Sequence, residues 1–327
     1  MKNKRMLSLI LAIAMILCLT ACGGSSEPAD DGKYTVGVIQ LITHDALDAA
    51  TDGFVAALEE ELGKENVTID IQNAAGSPDT CATVANTFVQ QKVDLIMANA
   101  TPALQAAYNA TTEIPILGTS VTEYGVALSL DNFTGTVGGN VSGTSDLASL
   151  DDQAQMIIDL VPDAKVVGML YCASEANSDY QVKKVTEYLT AKGLTCKNYE
   201  FSDSNDVTTV TQKAAAECDA IYIPTDNTAA ACAETIYGAM GNNKKPIIAG
   251  ESGICGGCGI ATLSISYYDL GYTTGKMAVK ILKGEADIAE MAIEYAPQAT
   301  KKYNADICAD LGIDTKALED AGYVALD

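Results

Sequence analysis

The order of apolar runs limits this chain's fold more than any other feature, because two distant stretches repeat one pattern. Residues 93–107, VDLIMANATPALQAA, followed by IPILGTS, match residues 218–232, CDAIYIPTDNTAAAC, followed by KPIIAGES. Each is an apolar run too continuous for a half-exposed strand, a polar break, an alanine-rich helical stretch and another apolar run. Such runs suit parallel strands buried on both faces by helices. The alternation extends both ways. TVGVIQLI, a helix around Ala46–Leu62, VTIDIQN and a helix over Cys81–Gln91 precede the first copy. A helix near Leu150–Leu160, AKVVGMLY, a helix over Asn177–Lys192, TCKNYEF and a helix over Asp206–Glu217 precede the second, whose own helix is expected over Asn227–Gly241. The expectation is an α/β protein of two doubly wound parallel-sheet lobes. About 290 residues from Tyr34 also exceed what one core usually holds. The later segments ATLSISYYDLG and GKMAVKILKGE are expected to cross back to the first lobe, leaving a multi-crossing hinge. Lobe 1 is thus placed at 34–146 plus about 264–290, and lobe 2 at 147–263 plus about 291–327.

Ahead of these lobes stands MKNKRMLSLILAIAMILCLTAC, a basic start, an apolar run and small residues before Cys22. This is the order of a bacterial secretion signal, here residues 1–21. Its end resembles a lipobox, which would make Cys22 the lipidated N-terminus on the outer face of the cell membrane. An ordinary signal peptide or an anchor helix is the competing reading. Residues 22–33 then form a lipid-anchored flexible linker, small and polar with nothing to bury.

The chain carries 20 basic and 43 acidic side chains, and all three leader charges (Lys2, Lys4, Arg5) are positive. That balance disfavours nucleic acid and anionic lipid as partners. Arg5 is the only arginine, so no guanidinium remains to grip phosphate or carboxylate once the leader is gone.

In sheets of this kind ligands bind beyond the carboxyl ends of the strands. The sequence places His44, Thr101, Ser145, Asp146, Glu175, Asn177, Ser178, Thr225, Asp226, Asn227, Glu251 and Ser252 at such ends, with no lysine among them. Asp226, Asn227 and Thr101 are also good helix caps. An acid-lined wall without arginine favours a ligand bearing an ammonium group, an amine or an amino acid above all, and a neutral sugar stays compatible. Asp226 or Glu175 is expected to take the ammonium, and Ser145, Ser178 and helix N-termini a carboxylate. His44 reads equally as a surface or capping residue and as a ligand contact. No nucleophile–base pair or metal constellation stands out, so neither an enzyme nor a cofactor or metal is expected. Cys255-Gly-Gly-Cys258 shares thioredoxin-type spacing, but its glycine-rich setting reads first as a loop disulfide or two idle thiols.

The motifs ALDAATDGF, FVQQKVDLI, ATPALQAA, GTSD, SEANS, YIPTDNT, PIIAGES and YYDLGYTTGKMAVKIL, taken in order, resemble bacterial ABC-transporter substrate-binding lipoproteins of the tryptophan/tyrosine-binding type. The resemblance covers 34–325. It implies a type I periplasmic-binding-protein fold that closes on a small solute, an aromatic amino acid in characterised members, and hands it to an ABC permease and its ATPase. A sensor that signals its bound state to a membrane receptor is the alternative. The chain departs from the family pattern at Asp45, at Glu123-Tyr124 and across 253–259.

Overall fold

Continuous apolar runs become strands here because helices cover them on both sides. The computed structural model describes residues 33–296 and 298–326, so the leader and Cys22 lie outside the described residues. The first series runs β1 (Tyr34–Gln40), α1 (Asp45–Leu62), β2 (Val67–Asn73), α2 (Pro78–Gln91), β3 (Leu95–Asn99), α3 (Thr101–Ala110), β4 (Ile116–Val121), α4 (Tyr124–Ala127) and β5 (Val141–Ser145). The second runs α5 (Leu150–Leu160), β6 (Val166–Cys172), α6 (Ala176–Ala191), β7 (Thr195–Phe201), α7 (Val207–Glu217), β8 (Ala220–Ile223), α8 (Asn227–Ala231), α9 (Ala233–Ala239), β9 (Ile247–Ala249), α10 (Ser252–Cys258) and β10 (Ala261–Ser264). The remainder is α11 (Tyr267–Leu282), β11 (Glu294–Tyr295), β12 (Thr300–Tyr303), α12 (Ala305–Asp310), α13 (Thr315–Asp320) and β13 (Val324–Ala325).

Two sheets result. Their orders are β11-β5-β4-β3-β1-β2 and β13-β12-β10-β9-β8-β6-β7, parallel except for the β10–β12 pair. Each sheet lies between two apolar clusters. In the first, Ile39, Phe88 and Leu104 pack on one side, while Val38, Phe54 and Met277 pack on the other. In the second, Met169, Val185 and Tyr222 oppose Leu170, Phe201 and Ile236. From Tyr34 onward the chain is one compact unit.

The chain crosses between sheets three times: after β5 at Asp146–Ser149, after β10 at Ile265–Ser266, and between β11 and β12. Three expectations need correction here. ATLS does not complete the first lobe, because Ala261 and Thr262 pair with Ile248 and Ala249 in the second sheet. The crossing falls just after it. Conversely, residues 291–327 are not all in lobe 2, since Glu294 and Tyr295 pair with Thr144 and Ser145 at the edge of the first sheet. A two-residue strand with both side chains exposed has no apolar pattern to read. The helix expected over Asn227–Gly241 also breaks at Cys232 into α8 and α9.

Helix α11 is bound to lobe 1 by a close crossing with α1. A Cβ on Gly271 would stand 1.9 Å from the Ala50 carbonyl oxygen, and one on Gly53 would stand 2.1 Å from that of Tyr268. Glycine alone permits this approach, and it fixes where Tyr267 at the head of α11 points.

Candidate functional site

The carboxyl ends of the strands of both sheets converge on a hollow of about 210 Å³. Lobe 1 and the hinge contribute His44, Leu47, Ser120, Asp146 and Tyr267, and lobe 2 contributes Thr225, Asp226, Asn227, Ala230 and Glu251. The hollow's closed part is only about 10 Å³, far below ligand sites of roughly 300–1,000 Å³. Two wider grooves flank it, sharing Asp45, Ser252 and Lys302.

The lobe 2 acids are already engaged. Glu175 Oε2 accepts from the Asn227 backbone N–H at 3.1 Å and from Asn227 Nδ2 at 2.6 Å. Its Oε1 accepts from the Thr228 N–H at 2.9 Å and the Thr228 hydroxyl at 2.8 Å. Asp226 accepts from the N–H of Cys172 at 2.7 Å and of Ala229 at 2.8 Å, which ties β6 to the N-terminus of α8. Glu251 accepts from Gly253 and Ile254 N–H and so caps α10. These oxygens hold loops together.

The lobe 1 face differs. The Thr101 hydroxyl, the Ser120 hydroxyl, Asp146 Oδ1 and His44 Nδ1 are buried atoms with no hydrogen-bond partner. Thr101 and Asp146 follow β3 and β5, Ser120 lies near the end of β4 between them, and the Ala100 N–H donates to Thr119 O at 3.0 Å. The backbone is also strained here, with φ of 96° at Ala100 and 53° at Ser120. Non-glycine residues held this way cost on the order of 1–3 kcal/mol each and cluster at ligand sites.

Charge follows the same division. Burial pushes the Asp146 carboxyl up to about 6, opposed by the Tyr267 phenol, which donates to Oδ2 at 3.0 Å, by the Thr122 side chain and by the backbone, and raised further by Glu251. Asp226 is pushed up by burial and by the neighbouring Glu175 carboxylate, against its backbone donors and Ser178. Glu251 is raised by burial, with His44 acting against the shift. One bond crosses the hollow: His44 Nε2 lies 3.3 Å from Asn227 Oδ1. The Asn227 amide nitrogen donates to Glu175, so its oxygen faces His44 and the histidine Nε2–H is the donor.

Of the residues expected from sequence, His44, Asp146, Thr225, Asp226, Asn227 and Glu251 line the hollow. Glu175, Asn177 and Ser178 stand behind it, and the Asn177 amide donates to Thr225 O at 3.1 Å. Ser145 is spent within the hinge, donating to Thr122 O at 2.8 Å and accepting from the Leu147 N–H. Ser252 lines the outer grooves. Sequence reasoning missed Leu47, Ser120, Ala230 and Tyr267. The polar break of ILGTSV could have given Ser120, whereas Tyr267 carries no local signal. Cys255 and Cys258 are buried free thiols, the second of the two readings, and they sit in helix α10 where a glycine loop was expected. Among the described residues no cluster of histidine, cysteine and acids has the makings of a metal site, and no helix is long and apolar enough to cross a membrane.

Comparison with known proteins adds an independent line. A sequence profile of ABC transporter substrate binding proteins matches residues 35–319. A tyrosine-binding protein of Clostridioides difficile (strain R20291) is 34% identical, over 100% of this chain and 97% of its own. Among solved structures, an ABC domain in complex with L-Trp from Streptococcus pneumonia is 32% identical with a TM-score of 0.84, over 90% of this chain and all of that one. A ligand-free, open substrate-binding protein with adhesive properties from Clostridium difficile is 38% identical over the same shares, yet its TM-score is 0.67. The lobes therefore match the complexed relative better than the open one, against the order of sequence identity.

Proposed function

The chain belongs to the family of ABC transporter substrate-binding proteins, and we propose that it captures a zwitterionic aromatic amino acid between its lobes. The observation that carries this reading is Asp146 Oδ1, a buried carboxylate oxygen beside the hollow with no partner. An ammonium at 4 Å from it gains on the order of 4 kcal/mol at an effective dielectric near 20. A neutral sugar would leave that charge uncompensated. The ligand's carboxylate is assigned to the Ser120 and Thr101 hydroxyls and to the N-terminus of α3, which has no side-chain cap. These groups replace Asp226, Glu175, Ser145 and Ser178 in the roles first expected of them, because those side chains are held by other bonds. The aromatic side chain is supported by the ligands of the two relatives, tyrosine and L-Trp. The lobes must part to admit such a ligand.

Its place in the cell follows from the same reading. The protein is exported, lipidated at Cys22, held on the outer face of the membrane, and delivers its ligand to an ABC permease and ATPase. Mass spectrometry of the mature N-terminus tests the anchor, and an unmodified Cys22 would remove it.

The chain contains no tryptophan, so the fluorescence of added L-tryptophan is read against tyrosine alone. Saturable binding of L-tryptophan or L-tyrosine, with none of ribose, is the expected result. Ribose binding without amino-acid binding would overturn the assignment.

A further inference from the structure

Asp146 and Tyr267 meet from different crossings of the hinge. Asp146 follows β5, and Tyr267 opens α11 directly after Ile265–Ser266. Both are buried and both line the hollow. The phenol donates to Oδ2 at 3.0 Å, so one carboxylate oxygen is occupied and the other is left without a partner. The ring itself packs with Ala46, Ala50 and Leu270. Packing alone does not require a hydroxyl at this spot.

We propose that Tyr267 is a positioning residue of the binding site, whose hydroxyl keeps the Asp146 carboxylate ionised and turned toward the ligand's ammonium. This rests on the amino-acid reading above. It goes further in making amine capture depend on a group carried by the hinge.

A proton and an ammonium compete for the same oxygen, so pH exposes the role. Asp146 is faced by Tyr124 from α4, Tyr267 from α11 and Glu251 beyond β9, with His44 and Asp226 across the hollow. Burial pushes Asp146 up to about 6, and the phenol first, then the Thr122 side chain and the backbone, hold it down. Affinity is therefore level well above pH 6 and falls about tenfold per unit well below it. Without the phenol donor, the fall begins at higher pH.

The experiment is calorimetric titration with L-tryptophan from pH 5 to 8.5 for the wild type, Tyr267→Phe and, as a control, Tyr268→Phe on the exposed face of α11. Phenylalanine keeps the ring, and thermal unfolding checks the fold. Tyr267→Phe is expected to bind about twofold more weakly at pH 7 and about tenfold more weakly at pH 5, its pH midpoint raised by about one unit, while Tyr268→Phe matches the wild type. As a second measurement, carbon NMR of the Asp146 carboxyl should show the same upward move without ligand. A Tyr267→Phe profile with the wild-type midpoint, at full or uniformly reduced affinity, overturns the inference and leaves the amino-acid reading standing. A wild type that binds no amino acid at pH 8 overturns both.

Discussion

The two walls of the hollow are built from the same residue types, yet they differ in what those residues still have to give. Across lobe 2, Glu175, Asp226 and Glu251 spend their oxygens on backbone N–H groups of Asn227, Thr228, Cys172, Ala229, Gly253 and Ile254. Across lobe 1 and the hinge, Ser120 and Asp146 on the hollow, and Thr101 outside its lining, each keep a buried polar atom without a partner, while on the lobe 2 side Asn177 Oδ1, behind the hollow, is left so too. Buried polar atoms are nearly always satisfied, so three at the ends of adjacent strands mark where a ligand's groups would complete the set. Counting acids cannot locate the counter-ion. Counting unused lone pairs can.

The largest test of this division is Asp146→Asn, which removes a charge and keeps the shape. Affinity for the amino acid is expected to fall by several hundredfold to a thousandfold, the scale for truncating one side of a buried charge pair. The same variant should gain stability without ligand. Its carboxyl stands at about 6 in the folded protein against 3.8 unfolded, so the folded state binds the proton more tightly. The group's contribution is present in full below about pH 4 and lost as pH rises to about 6, a difference of about 3 kcal/mol. Urea unfolding at pH 4 and pH 8 of both proteins isolates it. Asp146→Asn should gain on the wild type at the higher pH, and an equal difference at both values would mean that Asp146 is not held against its preference.

The opposite outcome belongs to lobe 2. Glu175→Ala strands the N–H groups of Asn227 and Thr228 at the start of α8, which should cost about 2 kcal/mol of stability. Affinity should change less than in Asp146→Asn. A Glu175→Ala protein of wild-type stability that no longer binds would reverse the roles of the two walls.

Much of this architecture is legible in sequence because parallel strands buried on both faces must be continuous apolar runs, and DLIMAN or AIYI cannot be mistaken for an exposed edge. The strand ends are legible for the same reason, since polarity resumes where burial stops. What escapes is who holds whom. Asp226 meets the N–H of a cysteine 54 positions earlier and Glu175 meets Thr228 53 positions later, so neither saturation can be read locally. Tyr267 escapes because its value comes from the glycine-mediated crossing of α11 on α1. The pair Glu294–Tyr295 escapes because two exposed residues leave no periodicity, and Cys255 and Cys258 because a short helix was unexpected in a glycine-rich stretch.

The smallest effect concerns the single bond that joins the walls. His44 caps nothing with its side chain, yet its Nε2–H reaches Asn227 Oδ1 from the opposite lobe. At 3.3 Å this bond is weak, about 1 kcal/mol, so His44→Ala should lower affinity roughly fivefold. A bond made only after the lobes meet slows their parting and not their first encounter, so the loss should appear in the dissociation rate. Stopped-flow fluorescence with L-tryptophan separates the two rates. His44 Nδ1 offers a second possibility, because it too is buried without a partner. A loss beyond about thirtyfold would mean that this nitrogen touches the ligand, moving His44 from the closing contact to the set of unused atoms on lobe 1.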